Sequence, residues 1–199
     1  MSPSSNQESA HYIELIEGSA SRLTTMIGKI LDVERIESKD LKLVLENINF
    51  ADAANSVAEM FQVLASDKQI RINCSAQEVV LVSADKGYLN QVIENLVSNA
   101  IKFSPVGKNI YIDVSSKNGS ALLQVRDEGP GITDSDKQKL FKKYQKLSAL
   151  PTGNESSTGL GLSIVKRFVD SMGGEIWCES VYGEGTSFFV KFSRVNSGR

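Results

Sequence analysis

Between Leu89 and Pro105 the chain reads LNQVIENLVSNAIKFSP, and one geometry buries its apolar residues together. Leu89, Val92, Ile93, Leu96, Val97 and Ala100 recur at helical spacing and share one stripe of an α-helix. A stripe of that kind must cover a second layer, so the chain is committed to a fold in which this helix roofs a core. Asn95, Asn99 and Lys102 fall in a separate sector roughly 60° wide. A polar sector ordinarily means a solvated face. Asparagine, however, is a poor helix former, because its side chain competes for backbone hydrogen bonds, and two of them one turn apart in mid-helix ask for an external reason. Neutral amide oxygens suit a hard cation that keeps several waters, and an ammonium suits phosphate oxygens. The sector points to magnesium and a polyphosphate.

The flanking patterns supply the second layer. ADAANSVAEMFQVLASDK has helical periodicity, while LKLVLENINF, QIRINCS and EVVLVSA read as extended segments. KNIYIDVSS and ALLQVRD, joined by a turn at Asn118-Gly119, make a hairpin, since those two residues tolerate positive φ. A helix from Gly159 to Met172 and two strands, GEIWCESV and TSFFVKF, close the chain. This order predicts an α+β fold, a two-layer α/β sandwich with helices on one face of a mixed sheet. Upstream, Ile13, Ile16, Ala20, Leu23, Ile27 and Ile30 repeat in the 3-4 spacing of a bundle or coiled-coil seam. Ser38 to Asp40 end that pattern and mark a boundary.

With 199 residues, 41% of them hydrophobic, the chain can bury a real core. A net charge of −2 gives no global field for nucleic acid or anionic lipid, so small ligands and proteins are the expected partners. Cys74 and Cys178 fit neither a metal nor a redox spacing, which suits a reducing, cytoplasmic setting. No run approaches a membrane span, and no membrane contact is expected of this segment.

Taken singly, three glycine clusters read as an acidic turn after a strand, a glycine-rich helix start and a hairpin turn; in their order they point to further chemistry. DEGPGI places Asp127 at a strand end, where a fixed carboxylate accepts the amino protons of adenine, with Gly129 and Gly131 allowing close backbone approach to a flat base. TGLGLSIVKRF puts Gly159 and Gly161 in what reads as a first helical turn, where backbone N–H groups hold phosphate oxygens. GEGTSF sets Gly183, Gly185 and Thr186 before the last strand. From Glu128 to Thr158 lies a long, lysine-rich irregular stretch, of a length that usually means function.

In order and spacing these stretches, with LFKKYQKL between them, resemble the N, G1, F, G2 and G3 boxes of sensor histidine kinases, members of the GHKL ATPase superfamily. The resemblance implies an ATP-binding catalytic domain over 41–195, the second helix of a dimerisation bundle over 10–38, and a disordered or fragment edge over 1–9. By the same resemblance Asn99 is the magnesium ligand and Asn95 a second contact near metal and phosphates. Lys102 binds phosphate beside the aromatic Phe103, Asp127 reads adenine, and Gly129, Gly131 and Ile132 shape its pocket. Phe141 and Tyr144 anchor the lid, Thr158, Gly159, Leu160, Gly161 and Leu162 line the phosphates, and Thr186 sits near Asp127. Asn99, Lys102 and Lys146 form the catalytic set, with ATP and Mg2+ as cofactors.

There are departures. Ser157 replaces a common glycine, Tyr144 a common phenylalanine, and Lys146 an arginine, which costs the bidentate fork on phosphate. The family phosphorylates a histidine in an H-x-[DE] box, whereas His11, the single histidine, is followed by Tyr12 and Ile13. The acceptor is therefore expected outside this chain, on a phosphoacceptor helix of the same kinase or its dimer mate, with a response regulator or receiver domain downstream. A serine kinase of the anti-sigma-factor type shares the ATP fold but lacks the bundle helix. A nucleotide-binding regulatory module without catalysis is the other alternative. A gyrase or chaperone relative would carry a hydrolytic glutamate where Asn95 stands.

Overall fold

The computed structural model describes residues 9–10, 12–13, 16–20, 23–24, 27–28, 41–76, 79–145, 147–153 and 158–195, in two units, 1–41 and 42–199. In the first unit the described residues from Ser9 to Gly28 are helical, and Ile13, Ile16, Leu23 and Ile27 lie exposed. Ile30 of the same seam, His11, Lys146 and Ser157 lie outside the described residues.

The second unit runs β1 (Leu45–Asn49), α1 (Phe50–Ser66), β2 (Arg71–Ser75), β3 (Leu81–Asp85), α2 (Lys86–Phe103), β4 (Asn109–Lys117), β5 (Ser120–Asp127), α3 (Asp134–Lys137), α4 (Gly161–Ser171), β6 (Glu175–Val181) and β7 (Gly185–Ser193). Five strands form a sheet in the order β2-β4-β5-β7-β6, parallel between β2 and β4 and antiparallel elsewhere. It is the expected mixed sheet, with one difference. β1 and β3 stand apart as a separate antiparallel ladder, joined to the end of β7 by a single bridge from Val82 to Arg194.

The layers follow from side-chain alternation. Ile110, Ile112, Leu123, Val125, Val190 and Phe192 project from one face of the sheet and are buried. Against them lie α1, α2 and α4, and the whole apolar stripe of α2 from Leu89 to Ala100 is buried. The polar sector of α2 is thereby turned away from the core, with Asn95, Asn99 and Lys102 half-buried.

Local chemistry fixes the ends. Asp85 caps α2 by accepting from Tyr88 N at 3.1 Å, and its other oxygen accepts from Val44 N at 2.9 Å. Asn49 caps α1, its side-chain oxygen accepting from Ala51 N, and the same oxygen accepts from Val80 N. Asn118 and Gly119 take φ of 51° and 76°, the tight-turn geometry expected of that pair. The glycine-bearing helix start differs from expectation: α4 begins at Gly161, and Gly159 stays in the loop at φ 69°. A left-handed backbone cannot continue into a right-handed helix, so Gly159 ends the loop and Gly161 opens the helix.

Candidate functional site

β5 is the middle strand of the five, and its last residue is Asp127. The ladder sets Asp127 opposite Thr186, the second residue of β7. Both are buried. The Asp127 carboxylate accepts from Gly129 N at 2.9 Å and from the amide of Thr186. Burial pushes this carboxyl up to about 6, and the two donating amides hold it down from a higher value. An ionised acceptor is thus fixed in a dry site, which is what reading an amino group requires.

The glycines allow this closeness. A Cβ on Gly129 would stand 2.8 Å from Asp127 Oδ1 and 3.0 Å from the Phe103 carbonyl oxygen, so the loop after β5 touches the end of α2. Gly131, at φ 70°, lies against the backbone of Val181, where a Cβ would come within 2.2 Å of the carbonyl oxygen. Pro130 and Gly183 join the same loop to the β6–β7 turn through a backbone bond of 2.8 Å.

A residue that the sequence reading passed over holds these pieces together. Ser180 donates to Gly185 O at 2.7 Å, so its oxygen is left to accept from Ile132 N at 2.9 Å and from the Thr186 hydroxyl at 3.1 Å. Ser180 pairs with Thr186 across the β6–β7 ladder. Counting back across the YGEG turn would have found it once the register was known. Burial first, then the charge of Asp127, pushes the thiol of nearby Cys178 up to about 12.

On the other side of the loop, α2 presents its polar sector. Asn95 donates to Gln91 O at 2.8 Å, a bond to its own helix, and its Oδ1 faces Gly161, whose Cβ would stand 3.2 Å away. The helix of the asparagines and the start of α4 therefore meet at Asn95 and Gly161. Lys102 places its ammonium 5.5 Å from the centre of the Phe103 ring. Leu160 and Ile132 are buried, Thr158 and Leu162 half-buried.

The segment expected to form the lid runs from α3 to the start of α4. Its Asp136 is buried and accepts from Ser148 N at 2.9 Å, closing a loop that contains Phe141 and Tyr144. Ser148 N and the other donors around Asp136 hold its carboxyl below the usual range. Phe141 is half-buried, and Tyr144 is exposed with φ 58°. Gly159 packs on the backbone here, since a Cβ on it would meet Gln145 O at 2.7 Å. The structure thus brings together Asp127, Gly129, Gly131, Ile132, Thr186 and Phe103 on one side, and Asn95 with Gly161 on the other.

Comparison with known proteins gives four findings of weight. A family model described as histidine kinase-, DNA gyrase B-, and HSP90-like ATPase matches residues 84–196. Sensor histidine kinase WalK of Bacillus subtilis (strain 168) is 28% identical over 178 residues, covering 88% of this chain and 29% of WalK. The chain therefore spans under a third of that curated relative. Among solved structures, full-length ShkA in complex with AMPPNP has the same fold, with a TM-score of 0.83 at 24% identity over 96% of this chain and 40% of ShkA. Histidine kinase ThkA, in complex with response regulator protein TrrA, gives 0.72 at 25% identity over 94% of this chain and 52% of ThkA.

Proposed function

This chain belongs to the histidine kinase-, DNA gyrase B-, and HSP90-like ATPase family, and from that premise we propose that it is the ATP-binding catalytic part of a two-component sensor histidine kinase. It holds Mg-ATP for transfer of the γ-phosphoryl group to a histidine supplied from outside this chain. The observation that carries this reading is the meeting of the buried Asp127 with Gly129 and the Phe103 carbonyl, at the end of a helix whose polar face bears Asn95, Asn99 and Lys102.

Each residue has a physical task. Asp127 accepts the exocyclic amino protons of adenine, and Thr186 of the neighbouring β7 fixes it, itself bonded to Ser180 of β6. Gly129, Gly131 and Ile132 keep the adenine pocket flat. Asn99, with Asn95, offers neutral amide oxygens that fit a magnesium ion retaining waters and phosphate ligands; such an ion neutralises phosphate charge. Lys102 supplies a cation to the phosphates beside Phe103, and Lys146 a second from the lid. Thr158, Gly159, Leu160, Gly161 and Leu162 bring backbone N–H groups to the phosphates at the start of α4. Phe141 and Tyr144 anchor the lid. Catalysis rests on positioning and charge stabilisation, with no covalent step on this domain.

The named relatives support the same reading: WalK is a sensor histidine kinase, ShkA was solved with AMPPNP, and ThkA was solved with a response regulator. A response regulator or receiver domain is accordingly the proposed downstream partner, and the phosphoacceptor helix of the same kinase or its dimer mate the immediate one. Among the described residues no helix is long and apolar enough to cross a membrane.

The deciding experiment is titration of the chain with ATP and GTP, with and without magnesium, followed by transfer to a supplied bundle fragment carrying an H-x-[DE] histidine. Magnesium-dependent binding, preference for ATP and a labelled fragment are expected. Equal affinity for the two nucleotides would sink the assignment.

A further inference from the structure

The outer end of α2 is closed by residues from far along the chain. A helix leaves the carbonyls of its last turn without intrahelical partners, and a glycine cap or water usually satisfies them. Here the backbone leaves α2 at Ser104 in an extended conformation, with φ −71° and ψ 136°, and Pro105 follows. Donors arrive instead from two other segments. Lys68, just beyond α1, donates to Ile101 O at 2.8 Å, to Lys102 O at 3.3 Å and to Thr152 Oγ1 at 2.7 Å. Thr152, in the returning end of the lid, donates its N–H to Lys102 O at 3.1 Å and its hydroxyl to Ser104 O at 2.7 Å. The ammonium stands at the negative end of the helix dipole, where a cation is favoured.

This arrangement has consequences for the lid. Its first part is pinned by Asp136 to Ser148, and four residues later Thr152 is pinned to α2. The carbonyl that receives both Lys68 and Thr152 belongs to Lys102, the residue assigned to the phosphates. The Asp127 carboxylate is held by a separate set of hydrogen bonds, from Gly129 and Thr186, with Ser180 bonded to Thr186.

We propose that Lys68 and Thr152 are positioning residues that latch the returning end of the lid onto the last turn of α2, so that lid placement over the terminal phosphates and the position of Lys102 are set by one hydrogen-bonded unit. The proposal rests on the nucleotide reading of the site. The latch bonds residues on either side of Phe103 but acts through the lid and Lys102, the parts assigned to the phosphates, so its loss falls most heavily on the γ-phosphate end of the ligand.

Calorimetric titration of the full chain with Mg-ATP and Mg-ADP tests it. Thr152→Val and Lys68→Met are each expected to weaken Mg-ATP about tenfold while leaving Mg-ADP within about twofold, on the scale of one lost charge-assisted hydrogen bond. The double variant should be no weaker than the weaker single, since the two side chains act as one unit. Thr152→Ser, which keeps the hydroxyl, should restore affinity. Unchanged Mg-ATP affinity in either single variant, equal losses for both nucleotides, or additive losses would each overturn the latch. Should a variant unfold, amide exchange on the wild-type chain decides: the Thr152 amide gains more protection with Mg-ATP than with Mg-ADP, and equal protection overturns the proposal. If the wild-type chain binds neither nucleotide, the nucleotide reading itself falls; if it binds both and the variants match it, only the latch does.

Discussion

Asp127 is asked to do two opposed things, to stay ionised and to stay dry. Its carboxyl sits near pKa 6, raised by burial, so the folded state binds this proton more tightly than the unfolded chain does. Stability contributed by the group is therefore fully present below its ordinary pKa of 3.8 and is lost as pH rises through about 6. Nucleotide binding runs the other way, because only the ionised form presents two acceptor oxygens. ATP affinity should hold above pH 7 and fall up to tenfold per pH unit below about 6, a profile that calorimetric titration across pH 5 to 8 measures. Asp127→Asn mimics the protonated acid, with one acceptor left for Gly129 or Thr186. It should raise the melting temperature at pH 7.5, have little effect at pH 4.5, and broaden or abolish the choice of ATP over GTP. A pH-independent affinity in the wild-type chain would contradict the role of the carboxylate. Asp127 was legible from sequence because a strand and two glycines frame it. Ser180 was not, since a serine in a strand carries no signal until the ladder pairs it with Thr186.

At the scale of elements, α2 shows how one helix serves two masters by angle alone. Leu96 is fully buried, one residue from the half-buried Asn95 and three from Asn99. Leu96→Ala should cost roughly 2–5 kcal/mol in urea unfolding, the range for truncating a buried leucine. Asn99→Ala should change stability by less than about 1 kcal/mol, because alanine is the better helix former and no core contact is lost. The functional outcomes should invert: Asn99→Ala is expected to abolish magnesium-dependent ATP binding, while Leu96→Ala, assayed where it is still folded, is expected to retain it. An Asn99 variant with full magnesium dependence would return that residue to the solvated surface. The separation of a buried from a half-buried sector was readable in advance because the 3.6-residue period divides them cleanly. The short α3, the lone β1–β3 ladder and the lid ties at Asp136 and Thr152 were not, because each depends on partners distant in sequence. Thr152 meets carbonyls 48 and 50 residues away, and no local pattern encodes that meeting.

For the whole molecule, the two units pose a question of completeness that chemistry can answer. The family-matched unit carries the nucleotide machinery proposed above, whereas the helical unit offers one histidine and a seam of exposed Ile13, Ile16, Leu23 and Ile27. A nucleophilic imidazole needs its second nitrogen held by a partner, usually a carboxylate, so that the attacking nitrogen bears a lone pair. Tyr12 and Ile13 follow His11, so the adjacent position of an H-x-[DE] box holds no acid. Incubated alone with labelled Mg-ATP, the chain should bind nucleotide yet accumulate no acid-labile, base-stable phosphoryl group. Added bundle fragment with its own histidine box should become labelled, and the label should vanish with Asn99→Ala in the catalytic chain. The exposed seam should meanwhile drive self-association, visible by sedimentation and relieved by the same fragment, because apolar a/d residues seek a partner helix. Stoichiometric labelling of the lone chain that disappears in His11→Gln would overturn this division of labour and make His11 the acceptor.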